Sequence, residues 1–455
     1  MKKSSSFKVF IHLLALLISA NKAYAAADIE FYSQAADEFK VEFEAVYKSD
    51  YKTLDQVQKL NGYQRRDLED FKIKATTQFI FGPLTHRSLG AEQKGQKIEM
   101  RLDQAYLKDN AVFIPYKYAG VWMVSHDVKL KEFAIPLPFS SQQLRTPNWK
   151  NCTDSGSDHN DYSFLWYFWD PERYGCDHKL DVDYQMVFPK VYTQTQQTVQ
   201  TYPEYNNMIR QGKVAMTFGF GYVEDRNNPN PYSDQDYGMT EFRKFLNLLK
   251  NDISLYKPTE SSILEKKYLN SISANKKIGS QFNFIKDGVE YEIKVVAAAD
   301  IDQMELFAQS FASEHDAFFG WFGHSRVGSG FDAFQFSQLV NQHPQKYTVT
   351  ADYQLVYWAG CNSYSYYTKP FFDFKSNLLA HDNSGTKSLD IISNGLPSYF
   401  SLNALNAEVL LKALVNPEKK NSYQDIINGI EKKANQFGIS VLVNVLGDED
   451  NSEPN

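Results

Sequence analysis

No apolar run after the N-terminus of this chain is long enough to cross a bilayer. A transmembrane helix needs about 20 consecutive apolar residues. We therefore expect no integral membrane segment once the N-terminus is removed, and a soluble mature protein. With 455 residues the chain is also too long for one small core, and its length suits two domains.

The N-terminus itself has the features of a secretory signal. Lys2 and Lys3 precede the apolar run 9–20, and Ala23-Tyr24-Ala25 follows as a small-x-small cleavage site. The alternative is an N-terminal membrane anchor, for which this apolar run is short. We expect residues 1–25 to be removed as a signal peptide and the protein to be exported, either to the periplasm or out of the cell.

Positive charge is in deficit, with 48 Lys and Arg against 55 Asp and Glu and a formal net charge of −7. The first 25 residues contain four lysines and no acidic residue, so removing them leaves a formal charge of −11. An acidic surface argues against nucleic acid or anionic lipid as the main partner. The charge does not bear on peptide or protein substrates.

Cysteine is scarce, with three in the whole chain. Cys152 and Cys176 lie close together in sequence, whereas Cys361 is far away. In an oxidising compartment the simplest partition is a Cys152–Cys176 disulfide and a free thiol at Cys361. A free thiol there invites a functional explanation, although a buried free cysteine can also act as a plain small hydrophobic residue.

The sequence pattern of residues 26–210 is mostly typical of β-strands and predicts a β-rich, sandwich-like domain. A possible early helix covers 54–71. The β-rich runs are 76–81, 97–107, 111–118, 121–135 and 180–192.

An aromatic segment, YSFLWYFWD at 162–170, lies inside the loop that the Cys152–Cys176 disulfide would close. It could be an aromatic platform for a glycan or a partner, because Trp and Tyr offer flat faces with a polar edge. The interpretation that we favour is a buried strand pinned by the disulfide, because such residues are usually buried. Four polar residues near the cysteines match no zinc spacing and are interpreted as a polar surface turn: His159, Asp161, Asp177 and His178.

Near Gly212 the sequence pattern changes, and predicted helices begin to alternate with apolar runs. Strands are predicted at 214–220, 281–285, 289–297, 317–322, 353–359, 388–392 and 439–446. Helices are predicted at 240–251, 304–312, from Asp332 to near His343, at 402–414 and from Ser422 to Gly438. This alternation predicts an α/β domain over 211–446 with a mostly parallel sheet and helices on both faces. The acidic tail 447–455 is expected to be disordered.

A histidine and a cysteine follow two of these predicted strands. His324 comes after the run 317–322, and Cys361 comes after the run 353–359. Parallel sheets carry their sites at the carboxyl ends of strands, so the two side chains are a candidate base and nucleophile.

The order of these residues resembles the caspase-like clan of cysteine peptidases, which includes caspases, legumains, gingipains and separases. The clan has one apolar block ending in His-Gly and a second ending in Ala-Cys or Gly-Cys. Here the blocks read AFFGWFGHS and YQLVYWAGC. The resemblance implies a caspase-like fold for 211–446 and an enzyme that needs no cofactor and no metal.

The resemblance also implies roles for individual residues. Cys361 would attack a scissile carbonyl as the thiolate, and His324 would deliver a proton to the leaving amine. The backbone N–H groups of Ser325 and Cys361 would face the oxyanion. The clan has glycine at the position of Ser325. Serine keeps a backbone N–H but has less freedom of backbone angles than glycine.

Substrate pockets in the clan are built by loops after the strands, which here carry Asp225, Arg226, Ser393 and Asn394. Each of these could equally be an ordinary turn residue, and the specificity is left open. Two functions are therefore carried forward. One is an exported cysteine endopeptidase acting on peptides or proteins, which the unpaired Cys361 favours. The alternative is a non-catalytic exported interaction protein with a degenerate caspase-like domain and an aromatic binding surface, which Ser325 favours.

Overall fold

The computed structural model describes residues 36–86, 89–92, 96–125, 134–153, 165–193, 200–222, 234–251, 264–268, 277–299, 303–312, 316–325, 333–415, 420–448 and 451. The expected signal peptide, Asp225, Arg226 and Asp332 lie outside these ranges. Among the described helices, none combines the length and the apolar character that a membrane crossing requires.

The N-terminal part of the chain contains two antiparallel sheets, one of six strands and one of two. In the larger sheet β1 lies between β5 and β8, and the short strands β2, β3 and β4 pair with β5. The smaller sheet consists of β6 and β7. The strands are β1 Ala36–Lys48, β2 Gly90–Glu92, β3 Lys97–Met100, β4 Tyr106–Lys108, β5 Ala111–Ser125, β6 Ile135–Pro138, β7 Tyr184–Val187 and β8 Lys190–Thr193.

Strand β1 is amphipathic with a period of two, as a half-buried strand requires. Val41, Phe43, Ala45 and Tyr47 are buried, and the charged residues between them point away from the core. A helical segment covers this face, so the second layer is largely helical where a sandwich would have a full sheet. Its helices are α1 Leu54–Gln58, α2 Gly62–Arg66, a π-helical stretch Asp67–Ile73, α3 Lys74–Thr77, a 3₁₀ turn Gln78–Ile80 and α4 Phe81–His86.

The strand predicted at 76–81 is wrong, because this stretch is helical. The hydroxyls of Thr76 and Thr77 donate to the carbonyls of Lys72 and Lys74, each at 2.9 Å. Such back-bonding lets β-branched threonines sit in a helix. Burial against the sheet then outweighs the β propensity of the stretch.

The aromatic segment is helical in its described part, α5 Leu165–Phe168, so the predicted strand is wrong there. The burial is confirmed, since Trp169 has no exposed surface and Tyr167 is 6% exposed. The Cys152–Cys176 disulfide is also confirmed, and Cys361 is a free thiol. The disulfide closes a small core around Trp169 that includes Phe79 and Leu165.

The C-terminal part of the chain contains an eight-stranded sheet in the order β10-β11-β12-β9-β13-β14-β15-β16. The five strands from β12 to β15 are mutually parallel, which confirms the mostly parallel sheet, and the outer strands are antiparallel. The strands are β9 Lys213–Tyr222, β10 Leu264–Tyr268, β11 Lys277–Lys286, β12 Val289–Ala299, β13 Asp316–Phe322, β14 Gln354–Trp358, β15 Leu389–Asn394 and β16 Val443–Leu446.

Both faces of this sheet are covered, because successive side chains of one strand enter different cores. Phe318 and Phe322 of β13 pack with α7, α12 and α13, whereas Phe319 and Trp321 pack with α8, α9 and α11. The helices are α6 Tyr205–Met208, α7 Tyr237–Asn251, α8 Gln303–Phe311, α9 Ala333–Gln342, α10 Ser363–Tyr366, α11 Lys369–Lys375, α12 Asn403–Leu414 and α13 Tyr423–Asn435.

The start of the acidic tail belongs to the fold, so the expected disorder does not begin at residue 447. Asp448 is buried and accepts a hydrogen bond from Thr201. The Asn451 side chain donates to the Tyr202 carbonyl at 2.8 Å and to Asp390 at 2.6 Å. These partners come from distant parts of the chain, which a composition argument cannot detect.

Candidate active site

The register of two neighbouring parallel strands places His324 and Cys361 at equivalent positions. Trp321 of β13 pairs with Trp358 of β14, and the N–H of Ala359 donates to the Trp321 carbonyl at 2.8 Å. His324 and Cys361 each follow the paired tryptophan of their own strand by three residues. Both residues therefore emerge at the carboxyl edge of the sheet, as the sequence predicts.

The two strand ends are in contact through Gly360. A methyl group added at Gly360 would lie 3.1 Å from both the N and the Cβ of Ser325, and 3.3 Å from the Gly323 carbonyl oxygen. These distances are shorter than ordinary van der Waals contact, so the absence of a side chain at Gly360 lets the two turns approach each other. The glycine before the cysteine is thus part of the geometry of the site.

Cys361 is partly buried, and its sulfur lies against the segment that follows β15. The backbone N–H of Ser398 donates to Sγ at 3.2 Å, and Sγ lies 3.7 Å from the Ser398 carbonyl oxygen. Burial raises the pKa of the Cys361 thiol, and the hydrogen bonds from the backbone of Ser398 and of Cys361 itself oppose that rise only in part. The resting residue is therefore a neutral thiol at neutral pH.

The same segment holds His324. The His324 ring packs edge-to-face on Phe400 with the ring centroids 5.1 Å apart. The Trp321 indole N–H donates to the His324 carbonyl at 3.2 Å and fixes the backbone after β13. Residues 398–400 thus contact both members of the pair, through Ser398 at the Cys361 sulfur and Phe400 at the His324 ring.

The turn after Cys361 is left-handed and fully buried. Asn362 has φ 50° and ψ 34°, and it directly precedes helix α10. Its N–H donates to the Leu396 carbonyl at 3.0 Å, and its side-chain amide donates to the Gly395 carbonyl at 2.6 Å. Asparagine tolerates this backbone region better than most residues, and here its amide bonds stabilise it.

Ser325, the expected oxyanion donor, is 1% exposed. Its backbone nitrogen would lie 3.1 Å from a Cβ added at Gly360, and its Oγ has no hydrogen-bond partner among the residues that the structure describes. The role of its N–H toward an oxyanion stays a prediction.

Ser393 and Asn394 are buried, and their side chains bond inside the fold. The Ser393 hydroxyl donates to Asn444 at 2.5 Å, and the Asn394 side chain bonds to the backbone of Leu396 and Leu442. These bonds shape the turn that carries Ser398. Their expected role in lining a substrate pocket stays a prediction, and the other two proposed pocket residues, Asp225 and Arg226, lie outside the described residues.

The described residues also contain a cluster of possible metal ligands away from this site. Atoms of Cys152, Cys176 and His178 lie within 4.8 Å of one another. The two sulfurs are bonded to each other, and both ring nitrogens of His178 have protein partners, the Trp169 indole at 3.1 Å and the Leu144 carbonyl at 3.1 Å. His178 is buried, so placing it in a polar surface turn was wrong.

Comparisons with family models, with curated proteins and with solved structures find no match. The caspase-like resemblance therefore stays a prediction. Sequence reasoning missed Ser398, Phe400 and Tyr167, whose contacts with the site cross the fold. None of them follows a motif that would have identified it.

Proposed function

We propose that the protein is an exported cysteine endopeptidase of caspase-like fold that cleaves peptide bonds with Cys361 and His324. The observation that carries the proposal is the equivalent position of the two residues, each three residues beyond the Trp321–Trp358 pair on adjacent parallel strands. A thiol nucleophile and an imidazole base are the two side chains that cysteine-dependent acyl transfer uses. Export rests on the N-terminal sequence 1–25.

Cys361 starts the reaction as the neutral thiol, because burial raises its pKa. As Sγ attacks the scissile carbonyl carbon, His324 takes the thiol proton and the carbonyl electrons move to oxygen. The tetrahedral adduct then expels the amine, which receives the proton from His324. Water, deprotonated by the same imidazole, hydrolyses the remaining thioester and regenerates the thiol.

The oxyanion formed in these steps needs donors, and the nearest candidates are the N–H groups of Cys361 and Ser325. Loss of one such donor costs about 3 kcal/mol in other acyl-transfer enzymes. The contact between Ser325 and Gly360 keeps the two donors near each other.

The alternative function is a non-catalytic exported interaction protein in which Cys361 is a buried thiol. The raised pKa of Cys361 favours it. The burial of Trp169 and Tyr167 counts against it, because these residues leave less of the aromatic segment to act as a binding surface.

Thiol labelling and peptide cleavage together test the proposal. Cys361 is the single cysteine outside the disulfide, so a small alkylating agent reports on it directly. We expect the mature protein to cleave a mixed peptide pool, Cys361→Ala to abolish cleavage, and His324→Ala to lower it by about 100-fold or more. His343→Ala, at the end of α9, is the matched control and should leave cleavage unchanged.

A defined pair of results would contradict the proposed function. If the wild-type protein cleaves no peptide, and His324→Ala leaves the labelling rate of Cys361 unchanged, then the two residues do not work together. The non-catalytic alternative would follow from that outcome.

A further inference from the structure

The N-terminal part of the chain reaches the turn that carries Cys361. The Tyr167 hydroxyl, from helix α5, donates to the side-chain oxygen of Asn362, which is 195 positions away in sequence. Tyr167 is 6% exposed and Asn362 is fully buried. The hydrogen bond therefore lies in the interior, one residue from the candidate nucleophile.

This bond completes the hydrogen bonding of the Asn362 side chain. Its amide nitrogen is held by the Gly395 carbonyl, and its oxygen is held by Tyr167. A non-glycine residue in the left-handed region costs free energy unless its surroundings hold it there. Tyr167 is one of the groups that hold it, and it comes from outside the sheet that carries the pair.

Two further contacts tie the N-terminal part to the same region. The Tyr364 hydroxyl, in the helix that begins just after the turn, donates to Glu38 of β1 at 2.6 Å. A methyl group added at Gly395 would lie 2.1 Å from the Met123 Cε and 3.2 Å from the Ala91 Cβ. The N-terminal sheet thus packs against both turns that shape the surroundings of the Cys361 sulfur.

We propose that Tyr167 is a positioning residue for Cys361, so that the N-terminal domain supplies part of the frame of the candidate active site. This inference rests on the proposed function for its catalytic meaning, although the geometry of the thiol can be tested without it. Tyr167 acts by fixing Asn362, which fixes the direction in which the Cys361 side chain leaves the backbone. Without the hydroxyl, the left-handed turn relaxes and the sulfur moves away from the Ser398 N–H.

The test is Tyr167→Phe in the full mature chain, which removes the hydroxyl and keeps the ring. Its matched control is Tyr205→Phe, because the buried Tyr205 hydroxyl likewise makes a hydrogen bond distant in sequence, donating to the Asn421 carbonyl at 2.9 Å. Both variants lose a buried hydrogen bond and a similar amount of stability. The Tyr205 contacts involve other elements than the turn after Cys361.

Two readouts separate positioning from a general loss of stability. We expect Tyr167→Phe to lower the rate of Cys361 alkylation at neutral pH by about fivefold, the scale of one buried hydrogen bond, because the sulfur loses the Ser398 N–H that favours the reactive thiolate. We expect kcat for peptide cleavage to fall by at least the same factor with little change in KM. Tyr205→Phe should change neither quantity at a temperature where both variants are folded.

If Tyr167→Phe and Tyr205→Phe alkylate at the wild-type rate, the positioning role is wrong. If the alkylation rate changes only in Tyr167→Phe while no variant, wild type included, cleaves peptide, the positioning role stands and the proposed function fails. Should Tyr167→Phe fail to fold, Asn362→Gly provides the second measurement, because glycine adopts the left-handed turn without the tyrosine. Asn362→Gly should then alkylate close to the wild-type rate, and a slower or faster rate would contradict the proposal.

Discussion

The backbone N–H of Ser398 points at the sulfur of Cys361 from 3.2 Å. A donor directed at sulfur favours the thiolate, whereas burial favours the thiol. For Cys361 burial is the larger effect, so the pKa of the thiol lies above the ordinary value despite this hydrogen bond. The segment after β15 therefore contacts Cys361 and also affects the pKa of its thiol.

Replacing Ser398 by proline should remove the N–H donor and raise the pKa of the Cys361 thiol further. We expect the alkylation rate at neutral pH to fall by about twofold to tenfold, the range for a typical hydrogen bond of about 0.5–1.5 kcal/mol. Ser398→Ala is the matched control, because alanine keeps the backbone N–H. Equal rates in the two variants would show that the donor has no influence on the thiol.

The alkylation rate of native Cys361 should rise with pH over a higher range than that of the unfolded chain. The thiolate is the reactive form, and burial raises the pKa of the folded thiol, so the folded protein reacts more slowly at neutral pH. Rates measured from about pH 6 to pH 10, with and without denaturant, give the two profiles. If the native rate instead levels off at a lower pH than the denatured rate, Cys361 would be a thiolate paired with a cationic His324.

Gly360→Ala should separate the two strand ends and damage the candidate site more than the fold. The added methyl would press on Ser325 at 3.1 Å, and we expect a loss of about 1–3 kcal/mol in the free energy of unfolding together with a loss of cleavage. Urea unfolding and peptide cleavage measure the two effects. Gly62→Ala is the control: a Cβ there meets nothing within 4 Å, so stability should rise by about 0.5–1 kcal/mol.

Asp390 should make the protein less stable as the pH rises. Burial, and then the neighbouring Asp448, raise the pKa of Asp390 well above its usual range, and the hydroxyls of Tyr353 and Tyr423 donate to it. The folded protein keeps a proton that the unfolded chain releases above about pH 4. The stability that this proton confers is full below that pH and declines as the pH rises through the folded pKa, by at most about 1.4 kcal/mol per pH unit.

The variant Asp390→Asn should remove this pH dependence, because an amide carries no titrating proton. Urea unfolding at several pH values measures the slope, which should be flatter than in the wild type, and the variant should be the more stable form at high pH. Asp373→Asn, at an exposed ion pair with Lys369, is the control and should keep the wild-type slope. An unchanged slope in Asp390→Asn would mean that Asp390 is ionised in the folded protein.

Local chemistry made much of the C-terminal fold predictable. Asp287-Gly288 between two apolar runs predicts a hairpin, and both residues have the positive φ values, 50° and 80°, that such a turn requires. Ser422 with Asp425 predicts the start of a helix, and their reciprocal hydrogen bonds form a capping box before α13. Each of these signals lies within a few residues of the structure that it specifies.

The N-terminal part was less predictable because packing overrides local preference there. The stretch 76–81 has β-branched and aromatic residues but is helical against the sheet. Strand β1 was missed, although the alternation of apolar and charged residues from Lys40 to Ala45 is a clear signal for it. The helix at Leu165–Phe168 lies in an aromatic run whose burial, unlike its conformation, followed from composition.

The sequence by itself determined that His324 and Cys361 end two strands of a mostly parallel sheet, since strand period, chain order and the rule for strand ends are local properties. It also determined the disulfide, because two of three cysteines lie close in the chain. Only the tertiary structure decided which groups surround the sulfur. Ser398, Phe400 and Tyr167 reach the site across 37 or more positions of chain, and contacts of that range depend on how whole elements pack, which no local pattern encodes.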